Sequence, residues 1–412
     1  MSFQQGLSGL NAAARNLDVI GNNVANSNTV GYKGSRAIYA DVYAASLSGS
    51  GGAEVGIGTS VASIQQQFTQ GNVTVTNNPL DIAVNGSGFF RMSGSNGITY
   101  SRNGQFHLDN AGYIVNADRA KLTGYPVDST GNIVTSSPLP LQIQRGDIAP
   151  QVTTRFDATV NLDSRAPAIA AAFNANDPTT FTNSTSGTVY DTLGNSHVFT
   201  TYFTKTAVSG QWNVQAAVDG TAVSNVDLGS GPGNPIQLNF DTSGALTTAS
   251  PAATAQLTIN SGAVTPIQVE LSYSGSTQFG SDFSVNALSQ DGYTSGHLSG
   301  YNIANDGMVL GQYSNGQSKP LGQVVLGNFA NPQGLHPLGK NQWAETTDSG
   351  LALIGTSGTG GLGLLQSAAV EDSNVDLTQE LVNMITAQRV YQANAQTVKT
   401  QDQLLQTLVN LR

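Results

Sequence analysis

The first and last segments of the chain carry the same seven-residue rhythm, and the long stretch between them carries none of it. From Phe3 the apolar or small residues Phe3, Leu7, Leu10, Ala14, Leu17, Gly21 and Val24 alternate spacings of four and three. That is the stripe of a helix that packs lengthwise on another helix. At the far end Leu377, Leu381, Met384, Tyr391, Ala395 and Val398 keep nearly the same register, with Gln388 as the polar member. After Val398 the rhythm slips, and Leu404, Leu408 and Leu411 restart it out of phase, as a stutter does. Residues 1–30 and 372–412 are therefore expected to form a coiled-coil-like pair of terminal helices. The second is expected to begin near Asp372 or Ser373, where Glu371, Asp372 and Asp376 suit the positive end of a helix dipole.

Two such helices cannot bury everything they carry. Each of Phe3, Leu7, Leu10, Leu17 and Val24 contributes ~1.5–3 kcal/mol if fully buried. Each comes with three or four residues that lose ~1–2 kcal/mol of backbone entropy apiece on ordering. Even paired, the helices leave Ile20, Ile385 and Leu405 over. The ends are thus expected to be mobile in a monomer and to order when neighbouring subunits supply the missing surface.

Between the ends, polarity is carried by uncharged side chains. Only 10% of residues are charged and 47 are glycine, which favours strands, turns and hydrogen-bonded surfaces. After a connecting segment at 31–70, short β-branched and aromatic runs at 73–76, 80–84, 89–92 and 98–101 are cut by turn signals at Asn103-Gly104 and 109–112. Further strand-like runs occupy 187–190, 198–204, 212–218 and 268–273. Tight hairpins return after Asp291-Gly292, with turns at 305–307 and Asn315-Gly316. The fold class expected is mainly β with α-helical termini. Residues 71–145 and 292–361 would complete one discontinuous β domain, 146–291 would be a second β domain inserted into it, and 362–371 would connect onward to the last helix. The glycine-rich run 355–363 is expected to be a flexible joint.

Reactive chemistry is sparse. No cysteine is present, which removes disulfides, thiolate metal sites and cysteine nucleophiles. Residues 358–363 fit G-x-G-x-x-G, but no βαβ unit surrounds them. Residues 334–341 approach a phosphate loop, but Asn341 replaces the magnesium-binding hydroxyl. His107, His197, His297 and His336 lack partners at metal-ligand spacing, and each reads as a surface or turn residue. Phe89, Phe90, Tyr100, Phe106, Tyr113 and Tyr125 read as β core, with Trp212 and Trp343 as core or interface anchors. No constellation supports catalysis, so no catalytic, cofactor-binding or metal residues and no cofactor are expected. The net charge of −10 offers no footprint for nucleic acid. Absence of an 18-residue apolar run argues against membrane insertion. Residues 1–30 lack the basic and apolar regions of a cleavable secretory signal.

The terminal segments carry more than rhythm. The residues Leu7-Ser8-Gly9-Leu10-Asn11-Ala12-Ala13, then 18–26 (DVIGNNVAN) and Thr29, Gly31, Tyr32 and Lys33 resemble the amino-terminal signature of bacterial flagellar rod and hook proteins. The stretch 373–377 (SNVDL), 380–384, Ala387-Gln388-Arg389, Tyr391, 393–396 and 408–412 is similar to the carboxyl-terminal signature of that family. Residues 80–84, Gly88-Phe89-Phe90, 100–106 and 122–125 match it as well, whereas 146–291 matches in style alone.

Within the family, distal rod members are shorter and the first hook-filament junction member is usually longer, so the size of the insert favours the hook members. The resemblance implies a structural subunit, not an enzyme, that self-assembles into a flexible helical tube acting as a universal joint in the bacterial flagellum. It implies export by the flagellar type III apparatus to an extracellular position on the basal body side. It also implies contacts with rod, hook cap and hook-filament junction proteins. A rod or junction component is the alternative, and a secreted β-rich binding protein a remoter one. The residues expected to polymerise are the helix stripes: Phe3, Leu7, Leu10, Leu17, Val24, Leu377, Leu381, Met384, Tyr391, Val398, Leu404, Leu408 and Leu411. The family signature is expected to centre on Asn22, Asn23, Asn26, Gly31, Tyr32 and Lys33.

Overall fold

The computed structural model describes residues 2–42, 56–95, 97–128, 131–220 and 225–410, the side chains of Ser2 and 408–410 excepted. Leu411, and the side chain of Leu408, therefore lie outside the described residues. The chain forms two compact units. One comprises Met1–Arg145, Gly300–Gln312 and Ser318–Arg412; the other comprises Gly146–Ser299 and Tyr313–Gln317.

In the first unit the two stripes form helices α1 (Ser2–Ala25) and α2 (Leu377–Asn410). A Cβ built on Gly6 would lie 3.0 Å from Val398 Cγ2, and one on Gly9 would lie 2.8 Å from the Asn394 side chain. The helices thus run antiparallel and approach closely because these two residues have no side chain. Helix α2 starts later than the sequence suggests. Glu371 belongs to a strand, the Asp372 amide donates to Asn72 O, and Asn374 is engaged elsewhere. The cap is Asp376, whose carboxylate accepts from the Thr378 and Gln379 amides at 2.8 and 3.1 Å.

Strands β1 (Ser35–Val42) and β2 (Gly58–Gln66) pair antiparallel and lie against α1. Tyr39 donates to Ala12 O, and the Thr59 amide to Ser8 Oγ. The connecting segment expected at 31–70 therefore contains an ordered hairpin.

The β part of this unit holds, among the described residues, a 12-stranded sheet built on the hairpins read from the sequence. Strand Phe89–Gly94 pairs with Gly97–Ser101, and Met308–Tyr313 pairs with Ser318–Asn328 around the Asn315-Gly316 turn. Asn103-Gly104 is a backbone crossing, not a hairpin turn. A Cβ on Gly104 would sit 1.6 Å from Ile82 O, so only glycine fits. Phe68, Phe89, Tyr100, Phe329 and Trp343 stack edge-on with centroids 4.8–5.8 Å apart, which makes Trp343 a core residue.

The glycine-rich run does not lead into α2. It folds as a turn held by the buried Ser357 hydroxyl, which donates to Asn305 O and accepts from the Leu365 amide. Strands Leu364–Ser367 and Ala369–Glu371 follow, pairing with Ile82–Asn85 and Val73–Val75 before the helix begins. Residues 334–341 fold into a hairpin whose Lys340 and Asn341 take φ of 56° and 57°.

The second unit packs two sheets around one apolar core. The five-stranded sheet contributes Phe156, Val160, Leu257, Val269 and Leu271, and the four-stranded sheet contributes Phe199, Phe203, Trp212, Val214 and Leu238. Strand Ser196–Lys205 starts with alternate residues buried, as a half-covered strand should.

His197 departs from the surface position expected for it. It is buried, with Nδ1 2.6 Å from Asp219 Oδ2 and Nε2 3.3 Å from Asp191 Oδ2. Burial alone lowers its pKa, but the bonds to Asp219 and Asp191 outweigh that and raise it above the ordinary 6.5. Asp191 is also buried. Hydrogen bonds from Ser261, Asn195 and His197 overcome its burial and hold the carboxylate well below the usual range.

Because the folded state holds the His197 proton more tightly, the resulting stability is complete below 6.5 and is lost as pH rises through the folded-state pKa. His197→Gln is expected to destabilise the second unit by about 1.5–3 kcal/mol at acid pH and by less at alkaline pH. Scanning calorimetry of the full chain checks this, and an equal loss at both pH values contradicts it.

Candidate assembly site

The residues that close the chain on itself surround one buried carboxylate. Glu371, at the end of strand Ala369–Glu371, is fully buried. Its Oε1 lies 2.7 Å from Lys33 Nζ and its Oε2 lies 3.1 Å from the Arg102 guanidinium. Oε1 also accepts from the Gly71 amide at 2.9 Å, and the Glu371 carbonyl accepts from the Gly31 amide at 2.7 Å. The residue read as a helix-start acid is instead the anion that joins the amino-terminal segment, the first β hairpins and the carboxyl-terminal strand.

Two cations and one anion leave an excess positive charge in this pocket, which backbone carbonyls temper. Lys33 donates to Thr69 O, and Arg102 donates to Val84 O and Gly86 O while its guanidinium lies 5.3 Å above the Phe89 ring. Burial pushes the Lys33 and Arg102 pKa values down, and Glu371 counteracts this in both.

Asparagines and a glycine complete the junction. Asn23 is buried and mimics a strand partner, its amide donating to Ser35 O at 2.8 Å and its oxygen accepting from the Ser35 amide at 2.9 Å. Asn374 does the same from the other terminus, accepting from the Gly34 amide and donating to Gln67 O and Thr69 Oγ1. Tyr32 donates to Asn22 Oδ1 at 2.7 Å, and Asn26 turns the chain after α1 by bonding Asn22 O and Thr29. Gly31 has φ of 71°, and a Cβ there would lie 2.5 Å from the Asn103 amide nitrogen. The family-signature positions thus occupy one junction. Arg102, Glu371 and Asn374 belong to it too, though the sequence showed Arg102 and Asn374 only as motif members and Glu371 only as a helix-start acid.

The stripe residues are placed differently. Helix α1 turns Gly6, Ala12, Ala13, Val19, Ile20 and Asn23 inward, and among the described side chains Ala387 is the buried residue of α2. Phe3, Leu7, Leu377, Leu381, Tyr391 and Leu404 are exposed, at 38–57%. Leu10, Leu17, Val24, Met384 and Val398 are half-buried. The sequence stripe and the intramolecular contact therefore overlap only in part: Val398 lies against Gly6, the larger stripe residues stay exposed, and the small-residue face was the one missed. Alongside the contact, a groove of about 1110 Å³ runs between α1, α2 and the β1–β2 hairpin. Glu380 lines it, and its buried Oε2 accepts no hydrogen bond from the described residues.

Comparison with known proteins covers both termini and both units. Family models match at residues 3–33 (flagella basal body rod protein), 83–127 (flagellar hook protein FlgE/F/G D1 domain), 161–293 (flagellar basal body protein FlaE D2 domain) and 366–411 (flagellar basal body rod FlgEFG protein C-terminal). The chain is 44% identical over 419 residues to the flagellar hook protein FlgE of Salmonella typhimurium and to that of Escherichia coli, covering 100% of the chain and of each relative. It is 33% identical over 459 residues to that of Treponema pallidum, covering 100% of this chain and 99% of the relative. The crystal structure of Helicobacter pylori flagellar hook protein FlgE2 matches 73% of this chain and 99% of its own, with a TM-score of 0.51 at 14% identity, and so shares the fold.

The junction predicts strong energetic coupling. Glu371→Ala leaves two buried cations unpaired and is expected to cost about 3–5 kcal/mol. In a double-mutant cycle with Lys33→Met, followed by urea denaturation, the losses are expected to fall short of additivity by about 0.5–3 kcal/mol. Additive losses contradict the shared pocket.

Proposed function

The chain belongs to the flagellar hook protein FlgE family, and we propose that its copies polymerise through their terminal helices into a tube that bends while it turns. It is a structural subunit of the hook of the bacterial flagellum. The observation that carries the helix reading is the incomplete cover of the stripe: α1 and α2 approach closely at Gly6 and Gly9, while Phe3, Leu7, Leu377, Leu381 and Tyr391 remain exposed. A large apolar stripe left open on both partners fits further helices from other copies.

In this reading residues 1–30 and 372–412 form the polymerisation core lining the inner wall. Residues 71–145 with 292–361 form an inner β domain, 146–291 forms an outer one, and 31–70 and 362–371 connect them. Export by the flagellar type III apparatus to the cell exterior, and contacts with rod, hook cap and hook-filament junction proteins, accompany it. A surface of Ser, Thr, Asn and Gln with 10% charged residues suits bending, because its hydrogen bonds exchange with water as neighbours slide.

Leu381→Asp is the direct test. Leu381 is 44% exposed, so the fold of the separate chain is expected to persist while polymer formation is lost, since a seam would bury the new charge without a partner. Circular dichroism reads the first and electron microscopy the second. Polymers of ordinary length from this variant contradict the role given to α2.

A further inference from the structure

Within the second unit one buried carboxylate ties a turn of the four-stranded sheet to a loop of the five-stranded sheet. Asp191 lies in the turn that joins strands Asn183–Tyr190 and Ser196–Lys205. Its Oδ1 accepts from the Leu193 and Asn195 amides, both at 2.9 Å, which fixes the turn. Its Oδ2 accepts from Ser261 Oγ at 2.7 Å, and Ser261 lies in the loop 258–266 between strands Ala253–Leu257 and Ile267–Ser272. Beside this bond the Val264 amide donates to Thr192 Oγ1 at 3.0 Å. Behind the loop Ile259 is buried in the shared core, whereas Leu193 and Val264 are 58% and 71% exposed.

His197 sits against this tie. Among the described residues the charged groups that face it are Asp191 and Asp219, the latter just beyond strand Gln211–Val218. Strand Asn183–Tyr190 places Val189 opposite it, and the loop 258–266 carries no charged residue. A protonated imidazole has two N–H groups, and here each meets a carboxylate oxygen. A neutral one keeps a single N–H. The shorter contact, 2.6 Å to Asp219, retains that proton on Nδ1, so the Nε2 lone pair faces Asp191 Oδ2 at 3.3 Å. Two acceptors facing each other in a buried site are unfavourable, and the strain falls on the carboxylate that holds Ser261.

We propose that His197 is a proton-operated latch: protonated, it holds Asp191 where it ties the loop 258–266 to the turn 191–195, and deprotonated, it releases that loop. This goes beyond the hook-subunit reading and does not depend on it. Because Asp219 and Asp191 tighten the hold of His197 on its proton, the latch is closed below 6.5 and opens as pH rises through the folded-state pKa. Opening uncovers Ile259 between the already exposed Leu193 and Val264.

Hydrogen exchange of the full chain, corrected for the intrinsic rate and read by mass spectrometry from about pH 5 to about pH 9, spans the histidine titration. Protection of the segments 191–195 and 258–266 is expected to fall about tenfold across that range, while strand Gln211–Val218 keeps its own. In His197→Gln the two segments are expected to exchange at a corrected rate that no longer varies with pH. Asp219→Asn, at a φ of 52° that asparagine tolerates, is expected to move the midpoint down by about one pH unit or more. Constant protection in the unmodified chain, or an equal loss in strand Gln211–Val218, overturns the proposal. So does a pH dependence that survives in His197→Gln or an unmoved midpoint in Asp219→Asn, and the latter decides alone should His197→Gln not fold.

Discussion

The buried ion cluster of Lys33, Arg102 and Glu371 is the constraint on which the first unit depends. Its members come from segments far apart in sequence, and Lys33 and Glu371 are separated by 338 positions. A carboxylate removed from water is strongly unfavourable unless cations and amides surround it, so the pocket forms only when all three segments are in place. This condition fixes where α1 ends and where α2 can begin. Asn23 and Asn374 then extend the registration along the backbone of Ser35, Gly34 and Gln67. The junction holds the base of the helical pair, and the rest of the pair projects from it.

That arrangement explains which features the sequence displayed. Helices, hairpins and their turns follow local rules: a heptad stripe, a β-branched run and an Asn-Gly turn each act over a few residues. Asn315-Gly316 was legible for this reason, as were the Trp212 and Trp343 cores. Glu371 was misread because an acid near a helix start is ordinary, and nothing local marks one that turns inward toward Lys33. His197 was misread similarly, since Asp191 precedes its strand and Asp219 follows the next strand, so that Asp219 meets it only when the sheet forms. The run at 355–363 looked flexible because glycine permits many conformations. Here glycine is needed for three positive φ values in one turn, at Gly358, Gly360 and Gly361.

The helix stripes teach a different point. A heptad identifies a face that requires covering, but not the molecule that covers it. Here the closest approach of the two helices is at Gly6 and Gly9, where the missing side chain lets two backbones approach, and glycine leaves a weak trace in a hydrophobicity pattern. The larger side chains remain outside. In a monomer that would be a liability; in a subunit of a polymer it is the arrangement expected.

The slip of register after Val398 follows from the same logic. A helix with one partner along its whole length keeps one stripe, since a shift in phase would rotate its apolar side away from that partner. Helix α2 has α1 beside it up to the level of Val398 and the few residues beyond, and the stripe changes phase where that companionship ends. The overhang therefore carries a stripe that α1 does not cover. The stutter thus falls close to the boundary between the part of α2 that runs beside α1 and the part that does not.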